Sequence, residues 1–158
     1  MQNQSSDEKA LLTKLYQEVA VFYTKALWSP EGEKARQYIL ARGLSEETLK
    51  TWEIGYSVEP REMFESMKKK GFSEKLLLES GVFISGYKDR FFGRLIFPIR
   101  NYRGDVIAFS GRTLKAGGDE AKYVNSPETL IFHKSNVLFG IDRAKQTIAK
   151  AKKVIIVE

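Results

Sequence analysis

Lys122, Tyr123 and Asn125 bring a cation, an aromatic ring and an amide within four residues of one another, with Arg112 ahead of them and Lys134 behind. Such a group suits a polyanion that also carries flat rings. Cations neutralise phosphates, an aromatic side chain stacks on a base, and an amide hydrogen-bonds bases or sugars. Each residue also has a plainer reading. Tyr123 could be core, Asn125 an Asx turn ahead of Ser126-Pro127, and the cations ordinary surface charge. Glu158 is a second candidate. It closes an apolar run at residues 154–157, and open α/β sheets place ligands at the carboxyl ends of their strands.

Other chemistries lack their residues. No Gly-rich loop ends in Gly-Lys-Ser/Thr, so the usual phosphate cradle is missing. There is no cysteine, which excludes disulfides and thiolate zinc sites. One histidine, His133, cannot make a histidine-rich metal centre, and without a nucleophile elbow it does not point to a serine hydrolase. No apolar run approaches the roughly 20 residues that span a bilayer, and the polar opening MQNQSSDEK is no secretion signal; a cytoplasmic location is the default expectation. The net charge of +6 is uneven. Residues 81–158 hold 14 Lys/Arg against 7 Asp/Glu, and residues 1–80 hold 12 against 13. A basic half beside a near-neutral half suits a polyanion partner.

The elements that must position these residues read as helices first and strands later. Ser5 and Glu8 have capping-box spacing ahead of a helix over 5–28, whose stripe is Leu11, Leu12, Leu15, Val19, Phe22 and Ala26. Shorter helices are expected over 33–42, after Ser45, over 61–70 and over 73–80, with Gly43, Gly71 and Gly81 as C-terminal caps. Leu44 and Leu49 have the spacing of a hydrophobic staple. Strands are expected at 82–84, 91–100 and 106–109, the last two joined by the Arg103-Gly104-Asp105 turn, with Arg94, Arg100 and Arg112 on or beside them. Residues 115–120 read as a loop, 141–151 as a helix and 154–157 as a strand buried on both faces. A core strand with no flanking partners suggests that Glu158 is a boundary inside a longer protein.

Four longer stretches carry a family resemblance. They are YILARGLSEETLKTWEIGY (38–56), GRLIFPIRNYRGDVIAFSGR (93–112), KYVNSPETLIFHKSNVLFG (122–140) and VIIVE (154–158). In this order and spacing they resemble the N-terminal half of the RNA polymerase core of bacterial DnaG-type DNA primases, up to the first strand of the Toprim subdomain. The segment between Arg112 and Lys122 departs from the family pattern, being slightly longer and lacking the common proline before the lysine.

The resemblance implies an α+β fold with N-terminal helices packed on a small, mostly antiparallel sheet. The divisions expected are a helical part (1–80), a basic mixed part (81–151) and the first Toprim strand (154–158). It implies a nucleic-acid groove at Arg42, Arg112, Lys122, Tyr123, Asn125 and Lys134, although Arg42 could equally serve its helix C-terminus through the dipole. Glu158 would be the first of several Toprim carboxylates that gather Mg2+ or Mn2+, and it cannot form a two-metal site alone. Zinc would belong to a separate preceding domain, and no ion is expected on this stretch by itself. The implied partners are single-stranded template, RNA/DNA primer duplex, ribonucleotides and a replicative helicase, in a bacterial replisome and with no membrane. The whole enzyme would make RNA primers for replication, and this part would supply a basic wall, inactive alone. Rival readings are a primase of a phage or mobile element, or a non-catalytic single-strand-binding module.

Overall fold

A computed structural model describes residues 2–115, 117 and 120–157, with side chains from residue 5 onward. Helix α1 (Gln2–Trp28) starts ahead of the expected cap, so Ser5 lies inside the helix and the Ser5–Glu8 spacing caps nothing. Its buried stripe is Leu12, Leu15, Tyr16, Val19, Ala20, Tyr23, Ala26 and Leu27, whereas Leu11 is 50% exposed. The 3.6-residue period rotates Leu11 off a face that Tyr16 and Tyr23 occupy.

Three short helices follow: α2 (Glu33–Leu40), α3 (Glu46–Thr51) and, after strand β1 (Gly55–Tyr56), α4 (Pro60–Lys69). Ser45 caps α3 by accepting from the Thr48 backbone N–H, and Leu44 and Leu49 pack in one cluster as their staple spacing requires. Helix α5 (Glu74–Glu79) is capped by Ser73 and closed by Gly81 at φ 71°.

The strands are β2 (Phe83–Ser85), β3 (Lys88–Asp89), β4 (Arg94–Arg100), β5 (Val106–Thr113) and β6 (Tyr123–Asn125), and α6 (Ile141–Ala151) closes the chain. Several differ from expectation: β4 starts at Arg94 and not at residue 91, β5 runs on to Thr113, and β1, β3 and β6 form where no strand was expected. The main sheet has the order β1-β4-β5-β6 with every pairing antiparallel, and β2-β3 is a separate two-stranded ribbon. The α+β architecture read from the sequence is therefore the one observed.

Helix α1 covers one face of the main sheet. Phe109 projects from β5 into the α1 stripe and meets Tyr16 and Tyr23 edge-on at 5.5 Å, with Phe91 at 6.1 Å. Full burial of such a ring contributes roughly 1.5–3 kcal/mol. This cluster joins Leu12, Leu15 and Val19 to Ile96, Val106 and Phe109, so residues before and after Gly81 share one core.

A buried carboxylate ties α1 to the start of β4. Asp89 accepts from the Tyr23 hydroxyl at 2.8 Å, from the Phe91 backbone N–H at 2.8 Å and from the Ser57 hydroxyl. The Ser57 carbonyl then accepts from the Gly93 N–H at 2.8 Å, and the Ser57 N–H donates to the Arg94 carbonyl at 3.1 Å. Burial raises the Asp89 pKa, against the lowering effect of the hydrogen bonds from Ser57, Phe91 and Tyr23 and of the Arg90 charge.

Residues 154–157 form no ladder with the rest of the chain, and Ile155 is 81% exposed. The strand expected there is thus not formed among the described residues, because a strand apolar on both faces needs neighbours on both sides. Glu158 lies outside the described residues.

Candidate nucleic-acid interface

The sheet face opposite α1 follows from register. Tyr56, Leu95, Arg112 and Tyr123 are cross-strand partners in one row over β1, β4, β5 and β6, and Phe97, Ser110 and Asn125 form the next. Two-residue alternation puts both rows on the same face. Each end of this face is covered. Leu95, Tyr56 and Phe97 pack with Leu27, Ile39 and Leu49 at one end. Ala108 and Ile99 pack under Phe132 and Val137 at the other. Between these clusters the face is open, and there stand Ser110, Arg112, Tyr123 and Asn125.

Arg112 and Tyr123 form a unit. The Arg112 guanidinium donates to the Tyr123 hydroxyl at 3.1 Å and lies over its ring, 5.5 Å from the centroid. Tyr123 is 49% exposed, which excludes the core reading of its ring. The Nε of Arg112 is shielded from solvent and has no acceptor among the described residues. Lys122 is exposed where the chain enters β6, and Asn125 is exposed at the end of that strand. Among the described residues, no carboxylate pairs with the side chains of Arg112, Lys122 or Lys134. The ion pairs nearest in sequence are Lys115 with Glu120 and His133 with Glu128. Two cations, a half-exposed ring and an amide on a pleated surface can hold a phosphodiester strand and stack on its bases without reading sequence.

The structure gathers only part of the expected group. Arg112, Tyr123 and Asn125 stand on β5 and β6, and Lys122 immediately precedes β6. Arg42 lies on the exposed turn after α2, its guanidinium 5.1 Å from the Tyr38 ring centroid, and no hydrogen bond joins it to β6 among the described residues. Lys134 is exposed in a 3-10 turn, where its backbone N–H donates to Glu128 at 3.3 Å. Hydrogen bonds from His133 and the Lys134 N–H hold the Glu128 carboxyl below its usual range. Sequence reading missed the roles of Ser110 and Phe97, which share the face, and of Arg94, which reaches toward β6 from behind it. Only knowledge of the register could have found them.

The fold and the open face define a small α+β domain whose four-stranded antiparallel sheet presents cations and an aromatic ring. Residues 22–145 match the family model described as "DNA primase catalytic core, N-terminal domain", and the chain belongs to that family. It is 39% identical over 158 residues to the DNA primase of Chlamydia muridarum, covering 99% of this chain and 26% of that protein. It is 37% identical over 158 residues to the DNA primase of Escherichia coli, covering 96% of this chain and again 26% of the relative. Among solved structures it is similar to the RNA polymerase domain of Mycobacterium tuberculosis primase DnaG in complex with a double-stranded DNA oligomer with a 6-nucleotide overhang. That match has a TM-score of 0.86 and 38% identity, over 93% of this chain and 47% of that one. A DnaG primase catalytic domain bound to single-stranded DNA matches with a TM-score of 0.78 and 37% identity, over 91% of this chain and 46% of that one. The chain thus spans 26% of the length of the two primases from Chlamydia muridarum and Escherichia coli.

Proposed function

We propose that this chain forms one wall of the groove that carries template and primer in a bacterial DNA primase. The observation behind this reading is the Arg112–Tyr123 pair on the open sheet face, with Lys122 and Asn125 beside it. Under this reading Arg42 and Lys134 would add to the basic surface. The wall neutralises backbone phosphates through its cations, and Tyr123 offers a stacking surface that tolerates any base. Its contribution to catalysis is to position the template and steer it electrostatically.

The whole protein would carry out template-directed ribonucleotide transfer with release of pyrophosphate, making RNA primers for replication in the cytoplasm. Residues 154–158 would be the first strand of its Toprim subdomain, with Glu158 as one carboxylate of a Mg2+ or Mn2+ site. Among the described residues no group of three His, Cys, Asp or Glu could hold a metal ion, so the chemistry of such an ion would rest on residues outside them. A zinc-binding domain accompanies the polymerase domain in the Aquifex aeolicus primase structure, which matches with a TM-score of 0.82 and 27% identity. A comparable domain, ribonucleotides and a replicative helicase are partners of the intact protein under this reading. Similarity to catalytic primase cores favours it over a stand-alone binding module. No helix among the described residues is long and apolar enough to cross a membrane.

The test is fluorescence anisotropy on single-stranded oligonucleotides of unrelated sequence at several salt concentrations. The expected result is weak binding that falls steeply with salt and varies little with sequence. Absence of binding at low salt, or salt-insensitive binding to one sequence, refutes the reading.

A further inference from the structure

We infer that Arg94 is a positioning residue for the Lys122–Tyr123 segment, reaching it through a passage that Gly111 leaves open. Arg94 stands on β4, two strands away from β6, and is only 9% exposed. Its guanidinium donates to the Ala121 carbonyl at 2.8 Å and lies 3.5 Å from the Lys122 carbonyl. To get there it crosses β5 beside Gly111. A Cβ at Gly111 would sit 3.2 Å from Arg94 Cδ and 2.8 Å from Phe91 Cδ1, so any larger residue displaces the arginine stem or the ring. The base of Arg94 is fixed in turn, because its carbonyl accepts from the Ser57 N–H and its own N–H donates to the Phe91 carbonyl at 3.0 Å.

Apart from its ladder to β5, the Arg112–Tyr123 contact and the packing of Val124, the segment is held at its entry by Arg94. Strand β6 is three residues long and lies at the sheet edge, and the Thr113 N–H to Lys122 carbonyl bond at 3.1 Å is its last rung before the loop. An edge strand this short frays readily. A charged donor on two successive carbonyls fixes the direction in which Lys122 and Tyr123 leave the backbone, and charge-assisted bonds are the stronger kind. Arg94 itself faces away from the open face and touches no nucleic acid. The inference rests on the groove reading for its link to DNA, but not for the ordering of the segment.

The experiment compares the protein with Arg94→Gln, Arg94→Lys, Gly111→Ala, Lys122→Ala/Tyr123→Ala and the triple variant that adds Arg94→Gln. Hydrogen exchange followed by mass spectrometry reads the order of residues 120–125, and anisotropy reads affinity for single-stranded DNA. Arg94→Gln should speed exchange in 120–125 while leaving α1 and β4 protected, and should weaken binding roughly 5-fold or more, as loss of one stacking residue does. Arg94→Lys keeps one donor and should fall between the protein and Arg94→Gln in both readouts. Gly111→Ala, which keeps Arg94 but narrows its passage, should also speed exchange there. In the Lys122→Ala/Tyr123→Ala background, Arg94→Gln should cost no further affinity, because the groups it positions are gone. Unchanged exchange in 120–125 overturns the positioning role, and so does an affinity loss that simply adds in the triple variant. If Lys122→Ala/Tyr123→Ala leaves affinity intact, the groove reading fails, while faster exchange in Arg94→Gln still upholds the ordering of the segment.

Discussion

Lys122 and Tyr123 are neighbours in sequence, but their removal should affect the salt dependence of binding differently. Lys122 is exposed where β6 begins and has no carboxylate partner among the described residues, so in the complex it is free to neutralise about one phosphate. Replacing it with alanine should lower the magnitude of the slope of log affinity against log salt by roughly 0.7 on single strands. Between about 50 and 200 mM salt that amounts to a variant-to-parent affinity ratio that changes by about 2.6-fold. Tyr123→Ala removes a stacking surface, so about 1–3 kcal/mol should be lost at every salt concentration with the slope unchanged. The geometry adds a third arm. Tyr123→Phe keeps the ring under the Arg112 guanidinium and deletes only the 3.1 Å hydrogen bond to it. Because the stacking ring is kept, Tyr123→Phe should bind closer to the parent than Tyr123→Ala. The control is Lys68→Ala/Lys70→Ala at the end of α4, where Lys70 pairs with Glu18 at 2.9 Å and Lys68 with Glu74 at 3.5 Å. These lysines are already offset locally and should leave the slope nearly unchanged. The assay is anisotropy titration over several salt concentrations on variants whose circular dichroism matches the parent. A control that flattens the slope as much as Lys122→Ala would show that net charge, and not this face, governs binding.

Two further outcomes concern the frame that carries the face. Tyr23→Phe deletes a donor to the buried Asp89 carboxylate and should cost about 1.5–3 kcal/mol near neutral pH. Because the folded-state pKa of Asp89 is raised, the stability linked to its protonated form is complete below the unfolded pKa and is lost as pH rises through the folded one. Losing the Tyr23 bond pushes that folded pKa higher still. The penalty should therefore be smaller in mild acid, around pH 4, than near pH 7 in urea titrations, and equal penalties would show that Asp89 does not depend on this bond. Gly81→Ala places a side chain at φ 71°, against the Pro127 ring. The left-handed backbone alone costs roughly 1–2 kcal/mol, so the urea midpoint should drop clearly, and a change under about 0.5 kcal/mol would refute the argument.

Much of this protein is written locally. Ser45 announces the helix it caps, Gly81 announces where α5 must stop, and the apolar period of α1 marks half of its buried residues. These signals are legible because a cap or a turn is decided by residues a few positions apart. The long motifs around Lys122 and Arg112 likewise carry the family resemblance in their residues alone, and the order of helical and strand-like segments carries the α+β class. An ambiguous local signal misleads. Ser5 has capping spacing but nothing that makes the helix begin there, and Leu11 fits a stripe that Tyr16 and Tyr23 in fact define.

The sequence by itself determined the helices, the hairpin of β4 and β5, the basic half and the residue types able to hold a nucleic acid. Only the tertiary structure decided that Arg112 faces Tyr123, that β6 exists at all, and that Arg94 crosses at Gly111 to hold it. The physical reason is register. A three-residue edge strand has almost no intrinsic preference to form, and its pairing comes from β5, which α1 fixes from the opposite face through Phe109. Residues 154–157 show the converse. Their sequence is as strand-like as any in the chain, yet they form no strand among the described residues, because pairing needs a partner and not only a propensity.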